Sequence, residues 1–128
     1  MNDIRYSYKA VPTIKAFSDS RKFIRGLMGP FGSGKSSGCI IELVKWAARQ
    51  PAQADGVRRS RFAVIRNTYP QLRDTTIKTV MQWLPDGPTG FGTYYKSDHR
   101  LVIDRLEPDL EIEILFKALD RPEHVANL

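Results

Sequence analysis

The chain has 128 residues, 27% charged and 41% hydrophobic, with a formal net charge of +6 and a pI near 9.7. A single cysteine, Cys39, excludes an internal disulfide framework. No apolar run approaches the ~20 residues of a membrane-spanning helix, and the first residues lack the apolar stretch of a signal peptide. The length fits one domain or a piece of one, the expectation is a soluble intracellular protein, and the basic balance favours an anionic partner such as a nucleotide or nucleic acid.

Residues 1–22 are polar and irregular, with a short helix expected over Thr13–Ser18. Phe23–Met28 is an apolar-leaning run suited to a strand. Then Gly29-Pro30-Phe31-Gly32-Ser33-Gly34-Lys35-Ser36 spells a complete G-x-x-x-x-G-K-[ST] phosphate-binding loop. Glycines let its backbone turn N–H groups inward as an anion nest. The helix that follows points its positive dipole end at the same place. Lys35 adds the cation for terminal phosphates and is the expected catalytic residue. Ser36 offers a hydroxyl to Mg²⁺, and Gly29 to Gly34 with Ser37 complete the nucleotide-binding set. The helix is expected over Gly34–Arg49, because Ile40, Ile41, Leu43, Val44, Ala47 and Ala48 recur at helical spacing. Cys39 reads as a small core residue of that helix.

A second unit spans 61–84. Phe62–Ile65 is apolar throughout, as expected of a strand buried on both faces. A helix over about Leu72–Trp83 follows, with Ile77, Val80, Met81 and Leu84 on one face. Over 93–117 three short strands are expected: Thr93–Lys96, Arg100–Asp104 and Glu111–Phe116. Ser97-Asp98-His99-Arg100 reads as the turn of an antiparallel pair, and Ile112, Ile114 and Phe116 alternate as in a half-buried strand. The expected fold is α/β: an incomplete sheet of the P-loop NTPase type with flanking helices and an antiparallel strand pair after the second helix.

Further residues invite functional readings. Arg66 ends the second strand, where a doubly wound sheet presents its ligand, so it could sense phosphate. The alternative is a structural ion pair, with Thr68 capping the next helix. Arg73 and Arg100 could reach a neighbouring subunit's nucleotide, or be solvated surface. Tyr6, Tyr8 and Phe17 could stack on a purine, or pack in the core. Arg58, Arg59 and Arg61, with Arg21, Lys22 and Arg25, could meet DNA phosphates. Leu101-Val102-Ile103-Asp104 superficially suits a magnesium-binding strand, but Arg105 stands where a catalytic glutamate would.

Three segments together resemble the large terminase subunit of tailed bacteriophages: Leu27–Ser36, Val64-Ile65-Arg66-Asn67-Thr68-Tyr69-Pro70-Gln71-Leu72-Arg73-Asp74-Thr75, and Leu115-Phe116-Lys117-Ala118-Leu119-Asp120-Arg121-Pro122-Glu123-His124-Val125. They stand in that family's order over about residues 23–128. The resemblance implies an ATPase, using ATP and Mg²⁺, that drives double-stranded DNA into a preformed capsid. Its partners would be a portal protein, a small terminase subunit and copies of itself, in the cytoplasm of an infected or lysogenic bacterium, with no membrane. It also implies that residues 1–128 are a partial ATPase domain, cut before the acidic Walker B strand and lacking the nuclease domain, and inactive alone. A reading from a different class is a self-contained small P-loop regulator or kinase that uses Asp104 as its magnesium acid.

Overall fold

A computed structural model describes residues 12–27 and 35–119. The elements, in chain order, are α1 (Pro12–Asp19), α2 (Lys35–Ala48), β1 (Arg58–Arg66), α3 (Tyr69–Gln71), a π-helical turn (Leu72–Thr76), α4 (Ile77–Trp83), β2 (Gly92–Tyr95), β3 (Arg100–Ile103) and β4 (Leu110–Ala118). The strands form one mixed sheet in the order β1-β4-β3-β2. β1 and β4 are parallel, and the other two pairings are antiparallel. The molecule is therefore α/β.

The core lies between the helices and one sheet face. Ile40 and Ala47 of α2 join Leu72, Val80 and Leu84 against Leu101, Ile103, Ile112, Ile114 and Phe116. Strand alternation puts residues two apart on one face. In β4, Leu110, Ile112, Ile114, Phe116 and Ala118 are buried, while Glu111, Glu113, Leu115 and Lys117 turn the other way and are half-buried. The expected alternation of this strand is thus present, as is the antiparallel β2–β3 pair around the 96–99 turn.

Three expectations need correction. Residues 23–27 form no strand, and Phe23 and Ile24 are 101% and 84% exposed. Arg25 explains why. Its guanidinium donates to the carbonyls of Phe17 and Ser20 and to Glu42 Oε1, and it stacks over the rings of Phe17 and Trp46. Those bonds hold the segment against α1 and α2 instead of a sheet edge. Second, β1 is not buried on both faces. It is an edge strand whose residues alternate between half-buried and exposed, and Ile65 is 42% exposed. Its second face carries arginines matched to glutamates of β4, so a short apolar run hid a one-sided strand. Third, Cys39 is exposed. At 100° per residue it falls off the stripe that Ile40 and Ala47 bury.

The helix after β1 starts earlier than Leu72, at Tyr69. Thr68 is its N-cap, accepting from the Gln71 N–H while the Gln71 side chain accepts from the Thr68 N–H, a reciprocal capping box. Pro70 fits the first turn, where its missing N–H has no intrahelical role. The ladder then widens into the π turn, and the Thr75 hydroxyl donates to the Gln71 carbonyl. Thr68→Ala is expected to lower stability by about 1 kcal/mol, measured by denaturant titration.

Candidate functional site

The candidate site is the junction between the glycine-rich motif and α2. Gly29, Pro30, Phe31, Gly32, Ser33 and Gly34 lie outside the described residues. Lys35 is the first residue of α2, so the motif's invariant lysine coincides with the helix start. Ser36 is exposed on the first turn. Ser37 is half-buried, and its hydroxyl accepts from Trp83 Nε1 at 2.9 Å, which ties the start of α2 to the end of α4. Four backbone N–H groups at such a helix start have no intrahelical partner. They and an exposed hydroxyl suit a phosphate and its cation.

α2 is fixed from three directions. At its C-terminal end the Ala48 carbonyl accepts from Arg58 at 2.8 Å, holding it where β1 begins. On the α1 side, Gly38 leaves room for Ile14: a Cβ on Gly38 would stand 2.6 Å from Ile14 Cγ2. In its middle, buried Glu42 accepts from Arg25 at 3.0 Å and from Trp46 Nε1 at 2.7 Å, with Lys45 4.0 Å away. Burial pushes the Glu42 carboxyl up, but hydrogen bonds from Ser18, Arg25 and Trp46 outweigh it and hold it below the ordinary glutamate value.

The remaining candidates are distributed as follows. Arg66 is half-buried and donates to the neutral Thr76 Oγ1 at 3.2 Å, a structural hydrogen bond in place of the ion pair that was the alternative, while Thr68 is the cap as the alternative had it. Arg73 pairs with Asp74. Phe17 carries the Arg25 guanidinium over its ring, while Tyr6 and Tyr8 lie outside the described residues. The three β1 arginines of the basic cluster are matched by carboxylates. Arg58 bonds Asp109 and Glu107, Arg59 pairs with Asp55 and Glu111, and Arg61 faces Glu113. These arginines meet carboxylates, which the local sequence did not reveal because Glu107 to Glu113 are far along the chain.

Asp104 follows β3, which runs antiparallel to β4 with Ile103 opposite Ile112. It therefore lies at the end of the sheet where β1 and β4 begin, with its side chain 52% exposed and Arg105 4.0 Å away. Arg105 donates to the carbonyls of Gly87, Gly90 and Gly92, so its place in the sequence serves the 85–92 loop. Among the described residues, no group of three His, Cys, Asp or Glu side chains is placed to hold a metal ion, and no helix is long and apolar enough to cross a membrane. Comparisons with protein-family models, curated proteins and solved structures gave no match.

Proposed function

We propose that this chain is the ATP-binding part of a DNA-packaging motor of the kind formed by the large terminase subunits of tailed bacteriophages. One observation carries the reading: the G-x-x-x-x-G-K-S run leads straight into a 14-residue α-helix whose first residue is the motif lysine. The parallel β1–β4 pair and the helices that flank the sheet are compatible with it. In this reading Gly29 to Gly34 and Ser37 surround the phosphates and Lys35 balances their charge. Ser36 presents its hydroxyl to the cation. Mg²⁺, when bound, neutralises charge on the β- and γ-phosphate oxygens. Such a motor would act on double-stranded DNA together with a portal protein, a small subunit and copies of itself.

The test is titration calorimetry with MgATP and MgADP. Lys35→Ala is expected to weaken binding tenfold or more, the effect of removing one charge-assisted contact. Asp104→Asn should match the unaltered protein, because Asp104 sits at the opposite end of β4 from Ala118. Equal affinity for Lys35→Ala and the unaltered chain would remove the reading. A large loss in Asp104→Asn would favour a self-contained nucleotide enzyme.

A further inference from the structure

β1 stands at the end of the sheet order, with one side of its backbone open. The Arg58 N–H donates to the Asp109 carbonyl, and the Arg66 carbonyl accepts from the Leu119 N–H. The even-numbered residues of β1 therefore turn their backbone groups to β4. Alternation turns those of Arg59, Arg61, Ala63 and Ile65 to the open edge. None of their N–H or C=O groups has a hydrogen-bond partner among the described residues. All four residues are exposed. Such an edge is a template for a further strand.

The order of residues in β1 selects that strand. When a second β1 lies antiparallel to the first, with a two-fold axis at Phe62, Arg59 stands opposite the partner's Ile65. Arg61 then stands opposite the partner's Ala63. These are hydrogen-bonded pairs, so every edge-facing N–H and C=O of both copies finds a partner. On that sheet face no arginine opposes an arginine. On the helix side Phe62, which packs on the core, meets the partner's Phe62, and Ser60 meets the partner's Val64. Arg58 and the partner's Arg66 come opposite each other at the ends. There Arg58 already carries Glu107 and Asp109, and Arg66 turns to Thr76. Neighbouring registers are worse. An axis at Arg61 sets Arg61 against the partner's Arg61, and an axis at Ser60 sets Arg59 against the partner's Arg61. Like charges directly opposite are destabilising. An axis at Ala63 carries Arg59 past the end of the strand, to the partner's Asn67.

We propose that β1 is a homodimer seam, where two copies of this chain join edge to edge at Phe62 and continue their sheets across a two-fold axis. The contact is isologous, each copy giving and receiving the same bonds. It uses none of residues 29–37, so it needs no nucleotide, and loss of the nucleotide proposal would leave it standing.

The experiment is sedimentation equilibrium of the nucleotide-free chain over a range of concentrations. A reversible monomer–dimer equilibrium is expected, with no larger species, because pairing consumes the open edge. Ala63→Pro removes an edge-facing N–H and spares the β4 ladder, a position where a sheet tolerates proline. It should weaken dimerisation about tenfold or more. Ile65→Arg sets an arginine against the partner's Arg59 and should weaken it as well, whereas Ile65→Glu should not. In a Cys39→Ser background, Phe62→Cys should crosslink to its own copy on mild oxidation, since non-hydrogen-bonded antiparallel pairs lie within disulfide reach. Val64→Cys should not. A chain that stays monomeric at every concentration, or that forms open-ended polymers, would overturn the proposal. So would a dimer unchanged in an Ala63→Pro protein that circular dichroism shows to be folded. Crosslinking through Val64→Cys in preference to Phe62→Cys would overturn the register. Slow amide exchange at Arg59, Arg61, Ala63 and Ile65 in the dilute monomer would mean that the chain's own residues cover the edge, and would overturn the seam.

Discussion

Glu42→Ala is expected to cost about 3–5 kcal/mol of stability, enough to leave much of a marginal domain unfolded. Glu42 is 4% exposed and is the common acceptor for Arg25 and Trp46. Without it the Arg25 guanidinium, whose side chain is 16% exposed, remains against Phe17 and Trp46 with no counter-charge. Breaking such a pair from one side leaves a desolvated charge, and that residual charge supplies most of the penalty. Glu42→Gln keeps an acceptor for Trp46 and should lose less. Guanidinium chloride titration of the three proteins orders them. If Glu42→Ala matched the unaltered chain, the centre of α2 would not be held by this carboxylate.

The same group sets a pH dependence. Its folded pKa is depressed, so the unfolded chain binds the proton more readily. The stabilisation is complete above the ordinary glutamate value of about 4.3 and is lost as pH falls through the lower folded value. Stability measured downward from pH 6 should fall in that window. Glu42→Gln should show a smaller fall there.

Gly92→Ala is expected to be nearly as damaging, by about 2–4 kcal/mol. A Cβ on Gly92 would stand 1.9 Å from the Val102 carbonyl oxygen and 2.9 Å from the Ile103 Cα. These are backbone atoms of the partner strand, so the clash cannot be relieved by turning a side chain. The Gly92 carbonyl also accepts from Arg105 and from the Gly87 N–H, so a shifted backbone would disturb the 85–92 loop as well. Gly26, where a Cβ would meet nothing within 4 Å, supplies the control: Gly26→Ala should stay within about 0.5 kcal/mol. Thermal melting of both proteins decides the point.

What the sequence made legible was local. The apolar spacing in 35–48 placed α2 within a residue of its ends, and the Ile112-Ile114-Phe116 alternation gave β4 its buried face. The turn at 96–99 marked the β2–β3 pair. What stayed hidden was set by distant partners. Phe23–Met28 has the composition of a strand, yet Arg25 finds Glu42, seventeen residues away, and residues 23–27 follow it, Met28 lying outside the described residues. An apolar run such as Phe62–Ile65 does not distinguish a central strand from an edge strand; that depends on neighbours. The charges of Arg58, Arg59 and Arg61 looked available because their carboxylates arrive with β4. The G-x-x-x-x-G-K-S motif was readable as a pattern of residue types.

The pairing of β1 has a consequence for how the chain assembles. Each of its residues is matched to one 52 positions later, as Arg61 is to Glu113, and among the described residues β4 is its only neighbour in the sheet. Closing a loop of that length costs on the order of 3.5 kcal/mol in chain entropy before any of those contacts forms. The β2–β3–β4 meander closes through much shorter loops, so it can exist as a seam while β1 is still unattached. α2 packs on β1 and β4. The helix that begins with Lys35 is therefore completed by the longest loop closure among the described strand pairings, and its order is tied to that pairing.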